Sequence, residues 1–146
     1  MGAILRSSWL LGVQAVFASS GSSSLLSPSA CKVACGGAEH VPLDYHGSLP
    51  NILKQLKSIG FWIWGLDMGG PYNIHDSELV YPGKVVWVVG NEGSGIRRSV
   101  GGICDEIVSI KQTVDHASFN ASVATAMALS ETVRRSSTKQ QIDQFY

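Results

Sequence analysis

The chain is 146 residues long, 45% hydrophobic and 15% charged, and its formal net charge at pH 7 is zero. That length fits one domain able to bury roughly two-thirds of its unfolded surface, and so apolar a composition excludes a disordered chain while leaving apolar surface for a second copy. Zero net charge excludes a global field that draws in nucleic acid, so any such contact falls to local pairs such as Arg97-Arg98 and Arg134-Arg135.

The first twenty residues admit two readings. Arg6, then an apolar run from Trp9 to Phe17, then the small residues Ala18-Ser19-Ser20, follow the order of an export signal. The same stretch reads equally as a helix over residues 2–11, a stop at Gly12 and a short strand over 14–18. Ser27-Pro28 opens a helix to about Cys35, serine acting as cap and proline filling the first turn, and Gly36-Gly37 ends it. A short strand over 41–43 follows. Pro50 starts a helix whose Ile52, Leu53, Leu56 and Ile59 share one face and which Gly60 ends. Residues 61–66 read as a strand, and a loop runs through Pro82.

Val85 to Val89 is apolar without interruption, which predicts the central strand of a parallel sheet, buried on both faces. Ligands of such sheets sit at the carboxyl ends of the strands, so the turn Gly90-Asn91-Glu92-Gly93-Ser94-Gly95 is the first place to look for a site. Its glycine spacings of three and then two reverse the dinucleotide fingerprint, and no Lys-Ser/Thr follows as a P-loop requires. A nucleotide-like ligand bound in another way is expected. A helix over 97–103, a strand over 106–110 and a linker over 111–118 come next. A helix over 120–135 then carries Val123, Met127, Ala128 and Val133, and residues 136–146 read as a polar, loose tail.

No apolar run reaches the ~20 residues of a membrane span. Cys31, Cys35 and Cys104 are odd in number and lack a CxxC pair, which suits neither a disulfide framework nor a zinc site, so reduced thiols are expected. His40, His46, His75 and His116 are scattered through loops, and no metal site is expected. The class is α/β, with a mostly parallel sheet flanked by helices.

Five segments occur in an order that carries a resemblance. They are Gly2-Ala3-Ile4-Leu5-Arg6-Ser7; Lys32-Val33-Ala34-Cys35-Gly36 with Glu39 and Val41-Pro42-Leu43; the glycine turn 90–95; Cys104-Asp105-Glu106; and Ser118-Phe119-Asn120-Ala121-Ser122-Val123-Ala124. Together they resemble the SpoU (TrmH) family of RNA ribose 2′-O-methyltransferases, above all the bacterial enzymes that act on a guanosine of large-subunit ribosomal RNA. The resemblance implies a C-terminal trefoil knot, S-adenosylmethionine as cofactor, ribosomal RNA as substrate, a homodimer, and a bacterial cytoplasmic protein with no metal and no membrane association. It divides the chain into a methyltransferase domain over 1–135 and a tail over 136–146. The family's first strand would precede Met1, so the chain reads as truncated at its N-terminus.

The resemblance also implies roles. Gly90, Ile110 and Phe119 match the cofactor-binding positions; glycine allows close backbone approach, and the two apolar side chains suit the faces of an adenine ring. Arg6, Glu92, Ser118 and Asn120 match the catalytic positions. Arg6 is assigned to activating the ribose hydroxyl and gripping the adjacent phosphate, Glu92 to holding Arg6, and Ser118 and Asn120 to fixing the loop beside the methyl donor. Read without the resemblance, Glu92 is a solvated turn carboxylate and Ser118 or Asn120 an ordinary helix cap. Phe119 stands where the family has leucine, and Lys111 and Val114 stand where it has proline and glycine. The alternative function is a non-catalytic module that keeps RNA binding or the dimer surface.

Overall fold

The computed structural model describes residues 1–21, 25–91, 93–114 and 116–143, with side chains described as far as residue 136. Among them the order is α1 (Gly2–Leu10), β1 (Val16–Ser19), α2 (Pro28–Ala34), α3 (Gly37–His40), β2 (Leu43–His46), α4 (Leu49–Ser58), β3 (Trp62–Leu66), β4 (Tyr72–Asn73), β5 (Val85–Val89), α5 (Arg98–Gly101), β6 (Glu106–Ser109) and α6 (Ala121–Asp143). Strands β1 and β2 form one pair, and a second sheet has the order β4-β6-β3-β5. Every strand pairing is parallel, so the class is α/β with parallel sheets, as the alternation of elements predicts.

Side chains alternate across β3 and so divide the core in two. Ile63 packs with Leu53 of α4 and Val100 of α5, and Val86 and Val88 of β5 join that side. Trp64 faces the other way, toward Ala128 of α6, together with Val85, Trp87 and Val89. Helices therefore cover both faces, which is why β5 is apolar throughout. Its place differs from the expectation: β3 is flanked by β6 and β5, whereas β5 stands at one end of the order with all five residues half-buried. Periodicity registers the helical layers above and below a strand and is blind to its lateral neighbours.

A third cluster, Leu5, Ala34 and Val41, lies under α1. The helix-then-strand reading of the first twenty residues matches α1 and β1. Val41, expected to begin a strand, plugs this cluster at 2% exposure, and pairing starts only at Leu43, opposite Val16. Ser27 caps α2 by accepting from the Ala30 N–H at 3.1 Å. That helix ends on Cys35 in the left-handed conformation, and Gly36 opens α3 in place of closing α2. The backbone of α6 stays helical to Asp143, so the tail expected to be loose from Ser136 continues the helix; residues 144–146 lie outside the described residues. All three cysteines are free.

The long loop after β3 is fastened to α6 chiefly through Arg135, with His75 Nδ1 of the loop 3.6 Å from Glu131 Oε2 of the helix. Arg135 donates to the Leu79 carbonyl at 3.0 Å and the Asp76 carbonyl at 2.8 Å, and its guanidinium lies 4.7 Å from the centre of the Tyr81 ring. Glu131, 5% exposed, holds Arg135 at 2.7 Å and Arg134 at 2.6 Å. Hydrogen bonds from Arg134 outweigh the opposing effect of burial and, with those from Arg135, hold the Glu131 carboxyl down at about 2. Trp87 Nε1 adds a 3.0 Å bond to Thr132 Oγ1 on the same helix.

Candidate functional site

Strands β3, β5 and β6 end side by side, and the chain leaving each of them, with the start of α6, encloses a cleft of 370 Å³. Small-molecule sites commonly occupy ~300–1,000 Å³. The cleft takes Leu66, Asp67 and Met68 from the end of β3, Val89 to Asn91 and Gly93 to Gly95 from the turn after β5, and Ile110 and Gln112 from the loop after β6. Ser118, Phe119, Ala121 and Ala124 close it.

The turn after β5 is compact because residues 91 and 95 bond to each other. Asn91 N–H donates to the Gly95 carbonyl at 3.2 Å and Gly95 N–H donates back at 3.0 Å. Gly90 lies beneath that pair with no room for a side chain: a Cβ there would overlap the Gly95 carbonyl group. Gly95 has φ +62° and passes directly over Asp67. Glu92 lies outside the described residues.

Across the cleft Ile110 is 8% exposed and Phe119 41% exposed, one a fixed apolar wall and the other a ring that faces solvent. The loop between them is braced by Gln112, whose Nε2 donates to the carbonyls of Val114 at 3.0 Å and Ala117 at 2.5 Å. Asn120 is the cap of α6: its Oδ1 accepts from the Ser122 N–H at 2.9 Å and the Ser122 hydroxyl at 2.8 Å, while its carbonyl accepts from Ala124. This capping sets the angle at which Ser118 and Phe119 enter the cleft.

Of the residues singled out from sequence, Gly90, Ile110, Ser118 and Phe119 thus share one cleft, and Asn120 supports it from the adjoining helix start. Arg6 is an exposed residue of α1 and is not among those lining the cleft. Its helix meets α6 where Ala3 and Ser7 border the same hollow as Ser122 and Val123, one turn from Asn120. Asp67, Met68 and Gln112 are cleft residues that the sequence reading missed. The rule that sites gather at carboxyl strand ends would have found the first two, since they directly follow β3.

The opposite ends of the strands carry a structural carboxylate. Asp105 Oδ2 accepts from the Ile63 N–H at 2.8 Å and Oδ1 pairs with Lys57 at 2.7 Å. Burial pushes its carboxyl up, but the Ile63 amide and the Lys57 ammonium together hold it below its ordinary value. Burial, reinforced by Asp105, raises the neighbouring Cys104 thiol. Asp105 ties β3 to the start of β6 at the amino end, away from the cleft, while the Cys104 thiol lies 3.5 Å from the Val100 carbonyl of α5.

A family model described as the SpoU rRNA Methylase family matches residues 1–130. The chain belongs to that family. Among curated SpoU relatives it is similar to the 23S rRNA (guanosine-2'-O-)-methyltransferase RlmB of Neisseria meningitidis serogroup B, with 42% identity over 135 residues that cover 92% of this chain and 53% of the relative. The chain spans about half the length of the curated relatives it matches. Among solved structures it resembles the A. aeolicus TrmH/SpoU tRNA modifying enzyme, at 25% identity and a TM-score of 0.81, covering 95% of this chain and 70% of that one. The SpoU methyltransferase AviRb from Streptomyces viridochromogenes, solved in complex with AdoMet, has the same fold at 23% identity and a TM-score of 0.84, covering 94% and 55%.

Proposed function

We propose that this chain transfers a methyl group from S-adenosylmethionine to a ribose 2′-oxygen of ribosomal RNA, the target being a guanosine of the large subunit. The observation that carries this reading is the convergence of Gly90, Ile110, Ser118 and Phe119 on one cleft at the carboxyl ends of β5 and β6. Membership of the SpoU family and the names of the relatives supply the reaction and the substrate class. The residues suit an adenosine-based ligand. Gly90 presents backbone with no Cβ to hold a ligand off, and Ile110 and Phe119 offer apolar surface to a flat ring.

When bound, the cofactor supplies a methyl group on a positively charged sulfur. The chain's own part is to orient the reactants and to tune the nucleophile. In-line attack requires the 2′-hydroxyl to be polarised or deprotonated as carbon is approached. Arg6 takes that role as a permanent cation that grips the neighbouring phosphate and favours the developing alkoxide. Glu92 orients Arg6, while Ser118 and the Asn120 cap hold the loop beside the donor. The family's trefoil knot, a methyltransferase domain over 1–135 with an appended segment over 136–146, and a bacterial cytoplasmic setting belong to the same reading. So does a homodimer built on α1 and α6, where Leu10 is 69% and Val123 47% exposed.

Titration calorimetry with S-adenosylhomocysteine and transfer of a labelled methyl group to a large-subunit rRNA fragment test the reading together. Binding, and transfer that Arg6→Ala reduces by about 100-fold, are expected. Absence of heat and of any thermal shift overturns it, and binding without transfer leaves only the non-catalytic module.

A further inference from the structure

The end of β3 brings a carboxylate to the cleft that the matched family positions do not assign. Asp67 is anchored by its own backbone, its N–H donating to the Val108 carbonyl at 3.0 Å. Its Oδ1 accepts from the Gly69 N–H at 3.1 Å, and its Oδ2 faces Gly95, where a Cβ would come within 2.8 Å of it. Among the described residues lining the cleft, Asp67 is the one charged side chain. Among the described residues no lysine, arginine or histidine forms an ion pair with it. Leu66, Val89, Ile110 and Phe119 supply apolar wall around it. An uncompensated carboxylate beside such a wall leaves a negative potential inside the cleft.

We propose that Asp67 is a specificity-determining residue that makes the cleft favour a cationic methyl donor over the product left after transfer. The inference rests on reading the cleft as an S-adenosylmethionine site. Donor and product have nearly the same shape and differ by one positive charge, on a sulfonium in the donor and absent from the thioether of the product. Shape alone separates them poorly, whereas a fixed anion separates them directly. A sphere of the cleft's 370 Å³ is about 9 Å across, so a ligand charge near its middle lies within the ~8 Å screening length of physiological salt from Asp67. At such separations a partly solvated charge pair changes affinity by about five- to tenfold. Transfer erases the charge that Asp67 attracts, so the same residue favours donor loading and product release.

The test is titration calorimetry of the full chain with S-adenosylmethionine, S-adenosylhomocysteine and sinefungin, whose protonated amine replaces the methylsulfonium. Asp67→Asn keeps an oxygen for the Gly69 N–H and removes the charge; circular dichroism checks that the variant folds, and Asp67→Glu keeps the charge. Expected is a loss of about five- to tenfold for both cationic ligands in Asp67→Asn, a change of less than about twofold for S-adenosylhomocysteine, and a donor preference in the wild type that shrinks as salt rises. Equal weakening of all three ligands would mean a neutral contact, such as one to the ribose hydroxyls, and overturns the proposal, as does no change at all. If the wild type binds none of the three, the cofactor reading itself fails and the inference falls with it.

Discussion

Replacing Gly90 by alanine probes the turn that closes the cleft. The added Cβ would overlap the Gly95 carbonyl group and lie 2.6 Å from the Ile96 nitrogen, and backbone atoms cannot swing aside as a side chain does. Relief requires opening the Asn91–Gly95 pair and its two hydrogen bonds. These are worth about 1 kcal/mol each; with the strain of overpacking, the whole cost comes to about 3 kcal/mol. At ~3 °C per kcal/mol for a chain of this size, Tm falls by roughly 9 °C. Because the turn forms one wall of the cleft, affinity for S-adenosylhomocysteine falls by about tenfold or more. Differential scanning fluorimetry and calorimetry read the two effects, with Gly83→Ala as control, since a Cβ at Gly83 meets nothing within 4 Å. If Gly90→Ala and Gly83→Ala behave alike in both assays, the close-approach argument is wrong.

Glu131 and Gln112 give two further expectations. The Glu131 carboxyl is depressed from its ordinary 4.5 to about 2, so its contribution is fully present above pH ~4.5 and fades as pH falls toward 2. Glu131→Gln therefore costs roughly 2 kcal/mol at pH 7, allowing for solvent around the exposed Arg134, and the gap to wild type closes over that acid window. Urea melts at pH 7 and pH 3 decide it, an equal gap at both counting against the ion-pair account. Gln112→Ala removes the brace between Ile110 and Phe119 but exposes carbonyls that water can serve, so stability drops by no more than about 1 kcal/mol. Hydrogen exchange across residues 111–119 should rise and ligand affinity fall about threefold; unchanged affinity with faster exchange would detach the loop from binding.

Local signals carried the elements whose causes are local. The Ser27 cap, the apolar face of α4 and the unbroken run of β5 were legible because each is set by neighbours within a turn or two of chain. What escaped was set at a distance. Strand β4 exists because Tyr72 and Asn73 lie against Val108 and Ser109 of β6, and no pattern in the loop foretells a two-residue pairing. The strand around Val41 began late because that valine serves the core beneath α1. In the cleft, Gly90, Ser118 and Phe119 were found through ordered motifs and Ile110 as a matching position between two of them, whereas Asp67 and Gln112 were given no site role and matter only through what crosses them.

The Arg135 clamp bears on where this chain can be shortened. The stretch matched by the family model stops at residue 130, five residues short of the guanidinium that fastens the carbonyls of Asp76 and Leu79. A version trimmed to that boundary would shed Glu131 and Arg135 together and free a loop that departs from the β3 end of the cleft. One cut after residue 136 would keep the fastening, and the two lengths would differ far more in behaviour than a difference of six residues suggests.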